Sequence, residues 1–318
     1  MKTKILITGA FGQIGSELTP ALQEKFGVDN VVLLSHRHKQ SPENFKGIIE
    51  TGDTVDINQM EKIIKKHQVN EIYHLASILS AKGEEDPNFT WQVNMSLKNI
   101  LDLAVEYKLR VFWPSSIAVF GPTTPRNRTP QKTILEPNTM YGLTKVAGEL
   151  LCQYYFIKYK LDVRSLRFPG LISWKAEPGG GTTDYAVGIF YGALEYGKYQ
   201  CFVRQDTILP MMYMDDAVRS ILELMNADQD KIKIRTSYNL AAISFSVKEL
   251  ADEIKKYVPL DVRYVPDHRQ KIADSWPKSI DDSAAREDWY WQPQYDLPKM
   301  TKIMLEKLKI KLKLKLDK

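Results

Sequence analysis

The stretch Thr8-Gly9-Ala10-Phe11-Gly12-Gln13-Ile14-Gly15 decides how the chain folds. It reads G-x-x-G-x-x-G and joins a short apolar run, Lys4 to Thr8, to an amphipathic segment, Gln13 to Phe26, with Ile14, Leu18, Leu22 and Phe26 at four-residue spacing. A glycine-rich turn between a strand and a helix lets backbone N–H groups approach a pyrophosphate, and the helix N-terminus adds partial positive charge. Gly9, Gly12, Gln13, Ile14 and Gly15 are therefore candidate cofactor-binding residues. A merely tight strand–helix turn is the competing reading.

Outward from this loop, strand-like and helix-like patterns alternate. Strands are expected at Val31–Leu34, Ile48–Val55, Glu71–Ala76, Arg110–Ser115 and Asp162–Phe168, with helices at Gln59–His67, Phe89–Tyr107 and Tyr141–Tyr159. Such a series predicts an α/β fold, a doubly wound parallel sheet with helices on both faces. After Pro169 the rhythm changes. Glycines cluster at 179–181, helical patterns follow at Asp184–Tyr196, Asp215–Met225 and Ser246–Lys256, and the segment 261–298 reads as ordered loops. This predicts a nucleotide-binding domain over residues 1–170, with later segments returning to it. A smaller substrate domain and a basic tail then occupy residues 171–318.

Composition narrows the classes. The chain has 318 residues, 43% of them hydrophobic and 26% charged, which excludes collagen-like and largely disordered sequences. Two cysteines make neither a disulfide framework nor a cysteine zinc site, and the five histidines form no ligand pair, so no metal is expected. The formal charge of +5 is concentrated in the tail, where eight lysines from Lys299 onward face only Glu306 and Asp317. The remainder is close to neutral, so no nucleic-acid partner is expected. No apolar run reaches the length of a membrane span or a signal-peptide core, and a cytoplasmic protein without membrane partners is expected. The tail from Lys309 to Leu316 alternates Lys with Ile or Leu and reads as a solvated, frayed terminus, its period of two suiting a strand, while the preceding Met300–Leu308 pattern suits a helix.

Two further features carry chemistry. The second strand ends in Ser35-His36-Arg37, where a carboxylate usually binds a ribose 2′-hydroxyl. Arg37 could pair with a 2′-phosphate, so both NAD and NADP remain open. Asp56-Ile57 could reach an adenine amino group, or Asp56 could be a surface turn residue. Tyr141-Gly142-Leu143-Thr144-Lys145 is Y-x-x-x-K at a helix start, which places Tyr141 and Lys145 on one face. An ammonium beside a phenol favours the phenolate, so Lys145 would lower the Tyr141 pKa, and the same lysine could hold a nicotinamide ribose. Upstream, Pro114-Ser115-Ser116 brings hydroxyls to the carboxyl end of the fifth strand, where ligands of open α/β sheets bind.

Together the glycine loop, Ser116, Tyr141 and Lys145 resemble the extended short-chain dehydrogenase/reductase superfamily. Residues 114–125 (PSSIAVFGPTTP), 167–173 (RFPGLIS), 179–186 (GGGTTDYA), 211–216 (MMYMDD) and 269–282 (RQKIADSWPKSIDD) look like the short-chain-type L-threonine 3-dehydrogenases within it. The resemblance spans roughly residues 3–305. It implies a Rossmann-type sheet with a smaller C-terminal α+β substrate domain, and Ser116, Tyr141 and Lys145 as catalytic residues. NAD is implied as cofactor, although Ser35 stands where family members commonly carry Asp. Leu75, Ala76, Ser77, Asn94, Pro169 and Leu171 are expected to line the cofactor cleft, Asn94 alternatively lying on a helix surface.

The small-molecule substrate implied is L-threonine. Ser80, Ser116, Tyr141, Thr182, Thr183, Asp184 and Trp276 are expected at its site. Each has a plainer reading: Thr182-Thr183-Asp184 as a helix cap, Trp276 as core packing, Ser80 as a solvent-facing loop hydroxyl. A homodimer through helices near 94–107 and 142–159 is implied as well. A sugar-nucleotide epimerase or dehydratase is the rival within the superfamily, with Arg204, Arg235 and Arg263 available for a diphosphate. A non-catalytic nucleotide sensor is the rival outside it.

Overall fold

Buried parallel strands read as unbroken apolar runs because both faces are covered, and Ile5–Thr8 (β1) is wholly buried. In the computed structural model, which describes residues 3–36 and 45–316, β1 is followed by α1 (Gly15–Phe26), β2 (Val31–Ser35), β3 (Ile48–Thr51), α2 (Ile57–His67) and β4 (Glu71–His74). Then come α3 (Ser80–Gly83), α4 (Pro87–Asn94), α5 (Leu97–Tyr107), β5 (Arg110–Ser116), α6 (Met140–Tyr159), β6 (Val163–Phe168) and β7 (Gly170–Ile172). The remaining elements are α7 (Tyr185–Tyr196), β8 (Lys198–Cys201), β9 (Ile208–Tyr213), α8 (Met214–Asn226), β10 (Tyr238–Asn239), β11 (Ile243–Ser246), α9 (Val247–Lys255), β12 (Asp261–Tyr264), α10 (Arg269–Ser275), α11 (Ser283–Trp289) and α12 (Leu297–Leu316).

Seven strands form one sheet in the order β10-β6-β5-β4-β1-β2-β3, and every pairing in it is parallel. This is the Rossmann-type doubly wound sheet expected from the sequence. One face packs Met60, Ile64, Leu97, Leu101 and Cys152 from α2, α5 and α6 against Leu6, Val32 and Val111. The other packs Leu18 and Leu22 of α1 and Ile221 and Leu224 of α8 against Ile5, Ile7 and Phe112. A third apolar cluster joins α7, α9 and α12 around Ile189, Phe190, Leu250, Met300 and Leu308. Small sheets β11-β9-β7 and β12-β8 flank it, while β10 returns the chain to the main sheet beside β6.

Three local expectations are corrected. The helix expected over Phe89–Tyr107 is two helices. Asp86 caps α4, with Pro87 in the first turn, and α4 ends at Asn94, whose side chain bonds the backbone of Ile78, before α5 begins at Leu97. The segment 261–298 is not loops, since β12, α10 and α11 lie within it. The alternating tail is helix rather than strand, with Lys309, Ile310 and Lys313 exposed as expected. Lys, Leu and Ile tolerate helix well, Met300, Met304, Leu305 and Leu308 are buried on one face, and α12 runs to Leu316. The Lys311 ammonium donates to the carbonyls of Trp174 (3.2 Å) and Lys175 (2.9 Å) and to the Tyr191 hydroxyl (2.9 Å).

Helix α6 sits flat on β5 because Gly148 leaves its surface bare. A Cβ there would lie 2.6 Å from Cζ2 of Trp113, a buried, rigid ring. Gly148→Ala is expected to destabilise the protein by about 1–3 kcal/mol through overpacking, despite alanine's better helix propensity. A lowered urea midpoint at unchanged slope is the measurement that shows it.

Candidate active site

The site lies along the carboxyl ends of β1, β4, β5 and β6, and the glycine loop forms its floor. Gly9 has φ +65°, and a Cβ on it would lie 2.8 Å from the Ala76 nitrogen. A Cβ on Gly15 would come within 2.6 Å of the Ala10 backbone. No side chain caps α1; the N–H groups of Ser16, Glu17 and Leu18 bond to the Gly12 and Ile14 carbonyls, so it is the loop backbone at Gly12, Gln13 and Ile14 that borders the two cavities. A backbone cradle that no side chain can occupy, at an uncapped helix start, fits a dinucleotide pyrophosphate.

A cavity of about 360 Å³ opens on one side of the loop, with Gly9, Phe11, Gly12, Leu34, His36, Asp53, Thr54, Ala76, Phe89 and Val93 among its walls. Its apolar walls could hold an adenine between β2 and α4. Here the expectation for Asp56-Ile57 is corrected. The Asp56 carboxylate caps α2, accepting from the N–H groups of Asn58 (3.0 Å) and Gln59 (3.1 Å), and neither Asp56 nor Ile57 reaches the wall. Asp53 and Thr54 do, three residues earlier, with the Asp53 carboxylate 3.7 Å from Nδ1 of His36. Ser35 is buried at the end of β2, where its carbonyl accepts from the N–H of Gly52 (3.0 Å). Arg37 lies outside the described residues.

The second cavity, on the β5–β6 side, collects most of the other expected residues. Gln13, Ile14, Leu75, Ser77, Ser80, Ser116, Tyr141, Lys145, Pro169, Leu171, Thr182, Thr183, Asp184 and Trp276 all line it. Ser80 and Thr182 meet across it, hydroxyl to hydroxyl at 3.2 Å, so Ser80 is not a solvent-facing loop hydroxyl. Trp276 is buried, and its carbonyl accepts from Nε of Arg126 (3.0 Å). Asp184 serves two ends. Its Oδ2 accepts from the N–H groups of Gly180 and Gly181, each at 2.8 Å, closing the glycine turn, while the residue also faces the cavity. Burial raises its pKa, and those backbone N–H groups pull it back.

Asn94 is not at the cavity wall. Its Oδ1 accepts from Ser77 Oγ (3.1 Å) and the Ile78 N–H (2.7 Å), and its Nδ2 donates to the Ile78 carbonyl (3.3 Å) and to Thr144 Oγ1 (3.0 Å). It holds the loop after β4 against the first turn of α6, and so acts on the cleft through Ser77 and Thr144. This corrects its expected place as a direct contact.

Tyr141 enters from the first turn of α6, which Thr139 caps by accepting from the Gly142 N–H at 3.1 Å. Ser116 ends β5 with its Oγ accepting from the Ala118 N–H at 3.2 Å, and it lines the cavity together with Tyr141. The Lys145 ammonium donates to the Pro114 carbonyl (2.7 Å) and lies 4.6 Å from the Trp113 ring centroid and 5.4 Å from that of Tyr141. Burial pushes the Tyr141 phenol up to about 12, against a lowering by Ser116. Burial likewise brings Lys145 down to about 7, with Cys152 and Glu149 pulling it up. The expected lowering of Tyr141 by Lys145 is thus corrected: in the protein alone desolvation dominates both groups.

One buried chain was invisible to sequence reasoning. Thr8 Oγ1 accepts from the N–H groups of Leu75 (3.1 Å) and Ala76 (3.2 Å), so its proton goes to Nδ1 of His74 at 2.8 Å. That fixes the proton of neutral His74 on Nε2, 3.5 Å from Ser96 Oγ, which in turn donates to Thr54 Oγ1 at 2.9 Å. Burial holds His74 down to about 3, so it stays neutral. The chain ties the glycine loop to the adenine-side wall, and no motif announces it. The arginines offered to a diphosphate are elsewhere. Arg204 pairs with Asp274 and Arg235 with Asp162, while Arg263 lines a separate groove beside Tyr199.

Comparison with known proteins agrees with this geometry. The family model described as the NAD dependent epimerase/dehydratase family matches residues 5–241. The chain is 49% identical over 308 residues to an uncharacterized epimerase/dehydratase of Staphylococcus saprophyticus, covering 95% of this chain and 96% of that one. The crystal structure of L-threonine dehydrogenase from Clostridium difficile is 51% identical, with 98% of each chain covered and a TM-score of 0.95. A monomeric L-threonine 3-dehydrogenase from a metagenome is 50% identical, with 96% of this chain and 99% of that one covered and a TM-score of 0.93. The chain belongs to the NAD-dependent epimerase/dehydratase family, and within it is similar to L-threonine 3-dehydrogenases over nearly its whole length.

Proposed function

We propose that this chain oxidises L-threonine at its 3-hydroxyl to 2-amino-3-oxobutanoate, with NAD as the cofactor. The observation that carries the reading is one cavity lined together by Ser116, Tyr141 and Lys145 and closed by the hydroxyls of Ser80, Thr182 and Thr183, the Asp184 carboxylate and Trp276. Bound NAD supplies the hydride acceptor.

Tyr141 as phenolate takes the hydroxyl proton of the substrate, and Ser116 donates to the same oxygen as it becomes a carbonyl. Lys145 holds the cofactor ribose, and its ammonium favours the phenolate once the cleft is filled. Hydroxyls and N–H groups of Thr182 and Thr183 suit the substrate carboxylate, and Asp184 suits its ammonium. Gly9, Gly12 and the first turn of α1 hold the pyrophosphate, with Asp53 and Thr54 on the adenine side. Among the described residues no arginine lines either cavity wall, which disfavours a sugar diphosphate. The two buried free thiols suit the cytoplasm.

A homodimer through α6 is part of the same reading. Leu143, Leu150 and Ile157 recur every seven residues, and together with Tyr154 they leave an exposed apolar stripe on that helix.

Absorbance at 340 nm with L-threonine and NAD, EDTA present, tests the activity; no reduction despite cofactor binding would overturn it. Tyr141→Phe is expected to lower kcat/KM by at least about 100-fold while NADH binding persists. Because the free phenol is raised to about 12, the phenolate fraction grows with pH. Wild-type kcat/KM should therefore climb between pH 7 and 9, and the residual rate of Tyr141→Phe should not. Ser35→Asp should shift preference toward NAD over NADP by about tenfold, the effect of ~1.4 kcal/mol of charge repulsion at a 2′-phosphate; an unchanged ratio of kcat/KM values means that position 35 does not discriminate. Sedimentation should give a dimer for the wild type and a monomer for Leu150→Glu/Ile157→Glu. A monomeric wild type removes the stripe as a self-interface.

A further inference from the structure

Three consecutive residues at the end of β5 meet α6, on rungs one helical turn apart. Ser116 lines the cavity together with Tyr141. The Pro114 carbonyl accepts from Lys145 at 2.7 Å. Ser115 Oγ donates to Oε1 of Glu149 at 2.6 Å. Tyr141, Lys145 and Glu149 are spaced four apart and share one helix face. In the third rung Ser115 lines the reacting-side cavity, whereas Glu149 lines neither. This rung is the costly one, because Glu149 is 1% exposed and its partner Arg167, on β6, is 3% exposed. A buried ion pair contributes little net stability over apolar residues of the same volume, so stability alone does not account for it.

The pair is fully satisfied. Arg167 Nε donates to Glu149 Oε1 (2.8 Å) and its Nη2 to Oε2 (2.6 Å). Its Nη1 donates to the Gln131 carbonyl (3.0 Å) and to Asn239 Oδ1 (3.1 Å). With both carboxylate oxygens held from β6, Glu149 has one fixed position from which to grip Ser115, the residue next to Ser116.

We propose that Glu149 is a positioning residue for the reaction: clamped by Arg167, it sets the register of α6 against the end of β5 and keeps a fixed negative charge one turn below the Lys145 ammonium. The inference rests on the reading of Ser116, Tyr141 and Lys145 given above. The charged and titratable groups around Lys145 are Tyr141, Glu149 and Cys152 on α6 and His74 on β4. His74 is neutral and Cys152 a buried thiol pushed up by desolvation, which leaves Glu149 as the negative charge. Burial alone would leave Lys145 neutral near pH 7, and Glu149 opposes that loss.

The test uses full-length protein carrying Ser115→Ala, Glu149→Gln, or Glu149→Gln with Arg167→Met. The double variant avoids stranding a buried guanidinium, and circular dichroism with urea titration verifies its fold. Two readouts are taken: NADH affinity by fluorescence from pH 6 to 9, and kcat and KM for L-threonine. In the double variant the pH above which NADH affinity falls, where Lys145 loses its proton, is expected to drop by about one unit. Its kcat is expected to fall about tenfold or more through misplacement, with KM changed less than about twofold. Ser115→Ala retains the charge and should lower kcat severalfold without moving the pH break. A folded double variant with the wild-type pH break and kcat would overturn the proposal, leaving the pair a packing feature. If wild type does not oxidise L-threonine, the reaction reading fails by itself, and the NADH profiles still decide whether Glu149 governs Lys145.

Discussion

There is no space for a methyl group at residue 15. The α-carbon of Gly15 packs against the carbonyl of Gly9 and the backbone of Ala10, and Gly9 in turn packs against the backbone of Leu75 and Ala76. Backbone on backbone at these two points brings α1 down onto the ends of β1 and β4 together. Everything used for binding is measured from there. The loop backbone before α1 borders the crevice, β4 delivers Leu75, Ala76 and Ser77 to its wall, and β5 lies next in the sheet with Ser116 at the same height. A Cβ at residue 9 or 15 would lift the helix and separate the strand ends that the site requires to be level.

The polar groups beneath that surface are organised differently on its two halves. Under the adenine side the chain Thr8–His74–Ser96–Thr54 is neutral throughout, its proton positions dictated by the two backbone N–H groups already on Thr8. Under the reacting side the buried Glu149–Arg167 ion pair lies one helical turn from the buried Lys145. Neutral hydrogen bonds suffice to hold a wall in place. A fixed charge is needed where a phenol and an ammonium must exchange roles in a dry cavity. The division of labour follows the chemistry expected on each side.

What was legible in the sequence was local. The glycine loop, Ser116 and the pair Tyr141/Lys145 are spacings within one turn or one strand end, and the parallel sheet follows from short apolar runs alternating with helical periods. What escaped depends on distance or on competition between equivalent residues. Asp53 and Asp56 both follow β3, and only the fold shows that Asp56 caps α2 while Asp53 reaches the cavity. Asn94 looks like a cleft residue until its four hydrogen bonds are seen to lie within the protein. His74 has no motif, because its partners at positions 8, 54 and 96 come from three other segments. The lysine-rich tail misled because alternation suits a strand by period, whereas four buried residues of α12 and the anchoring of Lys311 make it helical.

The pKa directions explain why the reacting set needs its surroundings. A tyrosine raised to about 12 and a lysine lowered to about 7 leave both groups neutral just above neutrality in the protein alone, the wrong states for the roles proposed for them. Desolvation is the cause in each case, so no rearrangement of these two side chains alone can correct it. Charge must come from elsewhere: from the carboxylate of Glu149 on one side and, in the proposed reaction, from the oxidised cofactor on the other. The geometry of the loop and the protonation of the tyrosine are in this way one problem, solved when the cleft is filled.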